Sequence, residues 1–329
     1  MSATQIQLEV VVDAVELACR APSLHNSQPW RWVASNRTVD LFLDPARLVA
    51  TDTGGREALI GCGAVLDHFR VAMAAAGWEA KVRRFPEPAD PQHLAAITFI
   101  PAAVTDDVRR RANAIMMRRT DRLPLNAPSN PQRQALVSGE QNRPDSVRVD
   151  IVADELRASL AHASSLSEAV RIYDSEYHAE LSWWTADFVT YDGIPKTALI
   201  SAAESDRVDV GRTFPVTTAS ERRSGVDDDR AMILVLSTDG DEPETLLRCG
   251  ETLSALLLDA TIAGMATCPL THITEVPAGR DVVASLIDAS TLPQVLVRVG
   301  VAPALEPAPP PTPRRPIADV LQIRTGATC

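Results

Sequence analysis

The stretch Ala21–Trp32, APSLHNSQPWRW, concentrates hydrogen-bonding groups on a constrained backbone. Pro22 and Pro29 disfavour helical geometry in the residues before them. Ser23, Asn26 and Gln28 supply donors and acceptors, and the two amides each give and take a hydrogen bond. That suits the edge of a heterocycle presenting alternating C=O and N–H groups. His25 could touch such a ligand or make a structural hydrogen bond. The same residues would also serve as a helix-to-strand connection whose polar groups cap one another, with Trp30 and Trp32 packed on the strand.

A second chemistry is anion binding. All but two of the 32 basic residues are arginine, Lys81 and Lys196 being the exceptions. A phosphate site here would therefore use planar, bidentate guanidinium groups. Arg118, Thr120 and Arg122 stand together in RRTDR, and Arg314 and Arg315 in TPRRP. A net charge of −11 argues against general nucleic-acid binding but leaves room for one local anion site.

Other chemistries lack support. The cysteines, at 19, 62, 249, 268 and 329, form no CxxC and read as free buried thiols. Cys268 and His272 have helical spacing but no second pair, so no metal site is expected. GCGAVL at 61–66 begins like a dinucleotide fingerprint but lacks its third glycine, and reads as helix packing. VDDD at 226–229 and ERRSG at 221–225 read as a solvated turn and loop. No run of eighteen uncharged apolar residues suggests a membrane span, and the N-terminus lacks the pattern of a signal peptide, so a cytoplasmic location is expected.

The elements that must position these groups follow from periodicity. With 45% apolar and 23% charged residues, the 329-residue chain can bury the core of one large domain or two ordinary ones. Apolar spacing predicts helices over 5–20, 55–76, from Thr105 onward, 132–142, 154–185 and 244–263. Strands are predicted at RWVAS, TVDLFL, EAKVRRF, LAAITFI, VRVDIVA, AMILVLS and PQVLVRVGV. Residues 186–228 are polar, turn-rich and poorly periodic, which in a compact chain suggests a lid, a binding loop or disorder. APALEPAPPPTPRRP is an extended, proline-rich tail.

An internal repeat runs through this pattern. CGAVLDHFRVAMAAAG, Cys62–Gly77, matches CGETLSALLLDATIAG, Cys249–Gly264, in length, in its opening Cys-Gly and in its closing Ala-Gly. Each copy is followed by a strand. The pattern reads as a duplicated unit whose halves pack like the subunits of a symmetric dimer.

The opening stretch resembles the APSxxNxQPWxF signature of the nitroreductase-like flavoprotein superfamily. Three weaker signatures accompany it: RRTDR for the Arg-x-Ser-x-Lys/Arg run, GMATCPLTH for the Pro-Ile-x-Gly segment, and TPRRP for the basic C-terminal segment. The resemblance implies an α+β nitroreductase fold, with two halves that each hold a central mixed sheet flanked by helices. It implies FMN as cofactor. Pro22, Ser23, His25, Asn26 and Gln28 would lie against the flavin. Arg118, Thr120 and Arg122 would hold its phosphate and ring edge, Pro269, Leu270 and Thr271 would face N5, and Arg314 and Arg315 would hold the phosphate. No catalytic side chain is implied.

Each signature occurs once, divided between half one (1–105) and half two (106–329). One FMN per chain is therefore expected, in a monomer that mimics a homodimer, and the arrangement resembles the Acg-type, dormancy-associated branch. The implied activity passes electrons from NAD(P)H to a nitro-aromatic or quinone acceptor. Three departures bear on it: His272 stands where the family often has glycine, aromatic residues are only 4% of the chain and leave few for substrate stacking, and residues 186–228 could form a lid that excludes nicotinamide. An alternative expectation is therefore a protein that stores or sequesters FMN without turnover.

Overall fold

The computed structural model describes residues 6–324 apart from 36, 139–145, 187–190, 216–219, 288–289, 305 and 307–309. Two compact units divide the chain. The first holds 1–117, 246–258 and 314–329; the second holds 118–245 and 259–313. The helix after Thr105 falls in the first unit, as do 246–258 and the arginine tail.

In the first unit, helix α1 (Leu8–Ala18) buries Val11, Ala14, Val15 and Ala18 on one face. Strands β1 (Trp30–Ala34) and β2 (Val39–Leu43) form an antiparallel hairpin. Helix α2 (Arg56–Ala75) starts after Gly55, where the Asp52 carboxylate accepts from the amides of Glu57 at 3.0 Å and Ala58 at 2.8 Å. It ends at Gly77, whose φ of +87° is left-handed. By length and composition α2 could cross a membrane, but most of it is buried inside the protein. The fully buried Trp32 of β1 meets Phe69 of α2 at 4.9 Å between centroids. Strands β3 (Trp78–Arg84) and β4 (His93–Pro101) follow, then α3 (Asp106–Met117), whose Ala112, Ala114 and Ile115 pack on Val71.

The second unit contains α4 (Asn130–Ser138), β5 (Val147–Ile151), α5 (Arg157–Val170), α6 (Ser175–Trp184) and the single turn α7 (Ala202–Ser205). Then come β6 (Met232–Thr238), α8 (Pro243–Ile262), β7 (Ala266–Leu270), α9 (Pro277–Leu286) and β8 (Leu292–Gly300). The middle of α8 counts with the first unit. The second unit's core lies on one sheet face, where Ile233, Val235, Cys268, Leu270 and Leu296 meet Leu160, Ala163 and Val283 of α5 and α9. The chain closes in the first unit with α10 (Ile317–Val320) and β9 (Leu321–Ile323).

The sheets carry the duplication. The first has strand order β3-β4-β2-β1-β9, and the second, read from its β7 edge, β7-β8-β6-β5. Matching β1, β2, α2, β3 and β4 to β5, β6, α8, β7 and β8 makes the shared orders identical. All the shared pairings are antiparallel. The first sheet is mixed because β9 joins β1 in parallel. The second pairs its four strands antiparallel, and its parallel contact is the isolated bridge Thr120–Thr267. The main difference between the copies is the inserted α5, α6 and α7 between β5 and β6.

The repeated helices touch at the repeat's own Cys-Gly. A Cβ on Gly63 would collide with the Leu247 carbonyl oxygen and lie 2.8 Å from Gly250 Cα. A Cβ on Gly250 would collide with the Ile60 carbonyl oxygen and lie 2.8 Å from Gly63 Cα. Ile60 and Leu247 are equivalent in the two copies, so the contact is reciprocal, as in an isologous interface. Asp67 and Ser254, also equivalent, hydrogen-bond at 2.6 Å, and burial pushes the Asp67 carboxyl up.

Candidate functional site

The first unit shapes the opening stretch into a strained turn on α2. Among the described residues only four non-glycines have positive φ, and three lie here: His25 at 49°, Asn26 at 60° and Gln28 at 53°. Such strain persists only where surroundings enforce it. Ser23 Oγ accepts from the Gln28 amide at 3.0 Å, and Ser23 O from the Asn26 amide at 3.0 Å. Gln28 Nε2 donates to Asn26 O at 3.2 Å, and Arg47 Nε to Ser27 O at 3.0 Å. Cys62 Sγ reaches Pro29 O at 3.3 Å. Pro22 and Ser23 rest on Gly61 of α2, where a Cβ would stand 3.3 Å from Ser23 Cβ. The two glycines of GCGAVL thus admit this turn and the α8 crossing. His25, Asn26 and Gln28 are all buried.

The tail arginines grip this turn. Arg314 Nε donates to Cys19 O at 2.8 Å, and its Nη2 to Arg20 O at 3.0 Å and Ala21 O at 3.3 Å. The Arg315 amide donates to Gln28 Oε1 at 2.9 Å, and its Nη1 to Gln28 O at 3.2 Å. Asp44 lies 3.4 Å from the same guanidinium.

The second unit gathers the remaining residues along one sheet edge. Thr120 bridges Thr267 of β7, and the Asp121 amide donates to Thr267 O at 2.8 Å. The Arg118–Arg122 run therefore lies beside the strand that carries Pro269 and Leu270 and leads into Thr271. Because β7 is an edge strand, Pro269 is tolerated there. Arg118 is buried. Arg122 Nη1 donates to Ala198 O at 3.3 Å, and its guanidinium lies 5.0 Å from the Phe214 ring centroid. Burial pushes the Arg122 pKa down and Arg212 adds to this, while Asp121 opposes it.

Thr271 opens a buried ionic network that sequence reasoning missed. Its Oγ1 donates to Glu275 at 2.5 Å and accepts from Arg212 at 3.3 Å. Glu275 also pairs with Arg212, and with Arg171 at 2.7 Å, while Arg212 reaches the Tyr177 hydroxyl at 3.1 Å. Burial opposes charge on Glu275, but Arg212 and then Arg171 outweigh it and hold the carboxyl well below its usual range. His272 Nε2 meets Ser164 Oγ at 2.8 Å. Burial, then Arg212, pushes the His272 pKa down to about 3, so the ring is neutral at physiological pH. The Thr271–Glu275 spacing, one helical turn, was the only available sequence signal; Arg212 and Phe214 sit in polar, aperiodic sequence.

The described parts of 186–228 are well tied. Ser201 and Glu204 form a capping box, and Glu204 accepts from the Arg222 amide at 2.8 Å and the Arg223 amide at 3.0 Å. Arg223 pairs with Asp121 at 2.9 Å. This stretch also supplies Ala198 and Phe214 to Arg122 and Arg212 to Thr271. Residues 187–190 and 216–219 of it lie outside the described residues.

No family model matches the chain. It is 59% identical, over 98% of both chains, to the Mycobacterium tuberculosis protein named "Putative NAD(P)H nitroreductase acg". It is 37% identical to "Putative NAD(P)H nitroreductase Rv3131" of the same organism, covering 95% of this chain and 91% of that one. A solved structure described as a "putative nitroreductase" from Anabaena variabilis shares the fold, with a TM-score of 0.52 at 11% identity over 89% of this chain and 73% of that one. Identity of 59% sustained from end to end is decisive: the chain belongs to the nitroreductase-like flavoprotein family, in the branch of acg.

Proposed function

We propose that the chain binds one FMN and acts as an NAD(P)H-dependent oxidoreductase of nitroreductase type. Arg122 carries the reading. Among the described residues no carboxylate pairs with it; it has one carbonyl and one aromatic ring. The neighbouring inward arginines Arg171, Arg212, Arg223 and Arg298 each hold a carboxylate. A partly buried cation with no carboxylate in direct contact costs free energy until an anion completes its site. A phosphate or the polar edge of a flavin fits that requirement. The strained, amide-rich turn of the first unit supplies hydrogen-bonding groups suited to a heterocycle.

On this reading Arg118, Thr120 and Arg122 hold the phosphate and ring edge. Pro22, Ser23, His25, Asn26 and Gln28 lie against the ring, and Pro269, Leu270 and Thr271 provide backbone on the N5 side. Bound FMN supplies two-electron chemistry, from NAD(P)H to a nitro-aromatic or quinone acceptor. The protein's contribution is position and electrostatics. Neutral His272, engaged by Ser164, adds bulk but no charge beside Thr271. Since each signature occurs once, the working species is a monomer with a single flavin.

The described parts of 186–228 act as a lid over Arg122 and Thr271. Ala198 and Phe214 lie on Arg122, and Arg212 ties the segment to Thr271 and Glu275. These contacts also support a second reading, FMN storage without turnover, because a lid so fastened would exclude nicotinamide. Anaerobic mixing of FMN-loaded protein with NADH or NADPH separates the readings. Prompt bleaching of the flavin supports the oxidoreductase, and bleaching by dithionite alone supports storage. A protein that takes up no FMN overturns both.

A further inference from the structure

We propose that the C-terminal segment Arg314–Ile323 is a strap that holds the Leu24–Gln28 turn in its left-handed conformation. Arg314 and Arg315 are then positioning residues for the flavin ring, not ligands of its phosphate. The second statement rests on the FMN reading above; the first stands without it.

The strap grips the turn from both sides. Upstream, α1 ends at Ala18, and Arg314 collects the carbonyls of Cys19, Arg20 and Ala21 that lead into the turn. Downstream, Arg315 holds Gln28 at two points, the side-chain oxygen through its amide and the main-chain oxygen through its guanidinium. The residues enclosed between these grips include His25 and Asn26, and Gln28 at the downstream grip is left-handed as well. L-residues adopt that conformation only under constraint.

The strap is itself anchored. Leu321 of β9 pairs in parallel with Trp32 of β1, and the Arg324 amide donates to Ala34 O at 2.8 Å. The turn is thus joined to the strand that follows it by a second route through the tail. Arg315 also has a carboxylate, Asp44, and donates to Asp319 O at 2.9 Å. Both guanidinium groups are committed to building the first unit, whereas Arg122 has no such carboxylate among the described residues. That division makes Arg122 the better phosphate ligand and leaves the tail to shape the ring-facing surface.

Riboflavin, which has the ring but no phosphate, separates the two roles. Wild type, Arg315→Ala, Gln28→Ala and Arg122→Met are titrated with FMN and with riboflavin by flavin fluorescence. Arg315→Ala and Gln28→Ala are expected to weaken both ligands by the same factor, about tenfold for the loss of a charge-assisted hydrogen bond. Arg122→Met is expected to weaken FMN more than riboflavin. If Arg315→Ala weakens FMN alone, or neither ligand, the positioning role is overturned. Hydrogen exchange on the flavin-free protein tests the strap separately. The amides of Asn26, Ser27 and Gln28 should exchange at least tenfold faster in Arg315→Ala, while α2 amides keep the wild-type rate and so report an intact fold. Unchanged exchange at the turn overturns the strap. If wild type binds neither flavin, the FMN reading falls and the positioning role falls with it, while exchange still decides the strap.

Discussion

Replacing Arg122 by methionine should separate binding from stability. Without flavin, the Arg122 guanidinium is desolvated, lies near the positive Arg212 with Asp121 offsetting part of that repulsion, and has one hydrogen-bond partner, a carbonyl at 3.3 Å. Desolvating a polar group without full compensation costs about 1–3 kcal/mol, against about 0.5–1.5 kcal/mol returned by one hydrogen bond. Methionine keeps an unbranched stem and a polarizable sulfur to pack on Phe214. The flavin-free variant should therefore be as stable as wild type, or more stable by about 1 kcal/mol, a Tm gain of a few degrees at most. With FMN the sign reverses. Loss of one charge-assisted contact costs about 1.5–3 kcal/mol, a roughly 10- to 150-fold rise in Kd. Thermal melts of the flavin-free protein and an FMN titration read the two effects. A variant several degrees less stable whose FMN affinity matches wild type would instead make Arg122 a structural residue.

The α2–α8 crossing should tolerate no side chain: Gly63→Ala or Gly250→Ala drives a Cβ into a backbone carbonyl and should cost about 3 kcal/mol or more in urea unfolding, whereas Gly54→Ala, with open space but φ of +85°, should cost only about 1 kcal/mol. His272 has a folded pKa of about 3 against an ordinary 6.5, so the unfolded chain takes up its proton first as pH falls. Its contribution is complete above pH 6.5 and declines towards pH 3. Between pH 7.5 and 5, wild type should lose about 2 kcal/mol more than His272→Asn by denaturant titration, and equal losses would contradict the assignment. If the lid reading holds, Arg212→Ala should speed flavin bleaching by NADPH at least tenfold in stopped flow, because it removes the tie to Thr271 and Glu275. An unchanged rate would place the barrier elsewhere.

Most of the scaffold was legible because its signals are local. The apolar runs of β6 and β8 and the amphipathic spacing of α1 and α2 point to the same elements at every level. The matched Cys-Gly positions likewise announced a duplication that the strand orders carry. β7 was missed because Pro269 argues against a central strand, and only its edge position, a tertiary fact, admits the proline. β9 was missed because three residues carry no periodicity and pair with a strand nearly three hundred positions earlier. Within 186–228, polar sequence concealed a turn of helix and an ionic framework whose partners lie far along the chain. The residue types of the candidate site were readable, but the uses of its arginines were not. Arg122 and Arg314 look alike in sequence, yet one meets a single carbonyl beside an aromatic ring and the other closes the exit of a helix through three carbonyls.

A duplicated chain that keeps a single flavin site has one expected stoichiometry. Protein reconstituted with excess FMN and desalted can be assayed for flavin by absorbance and for mass by native mass spectrometry. A monomer carrying one FMN per chain is expected. Two flavins per chain, or none, would contradict it.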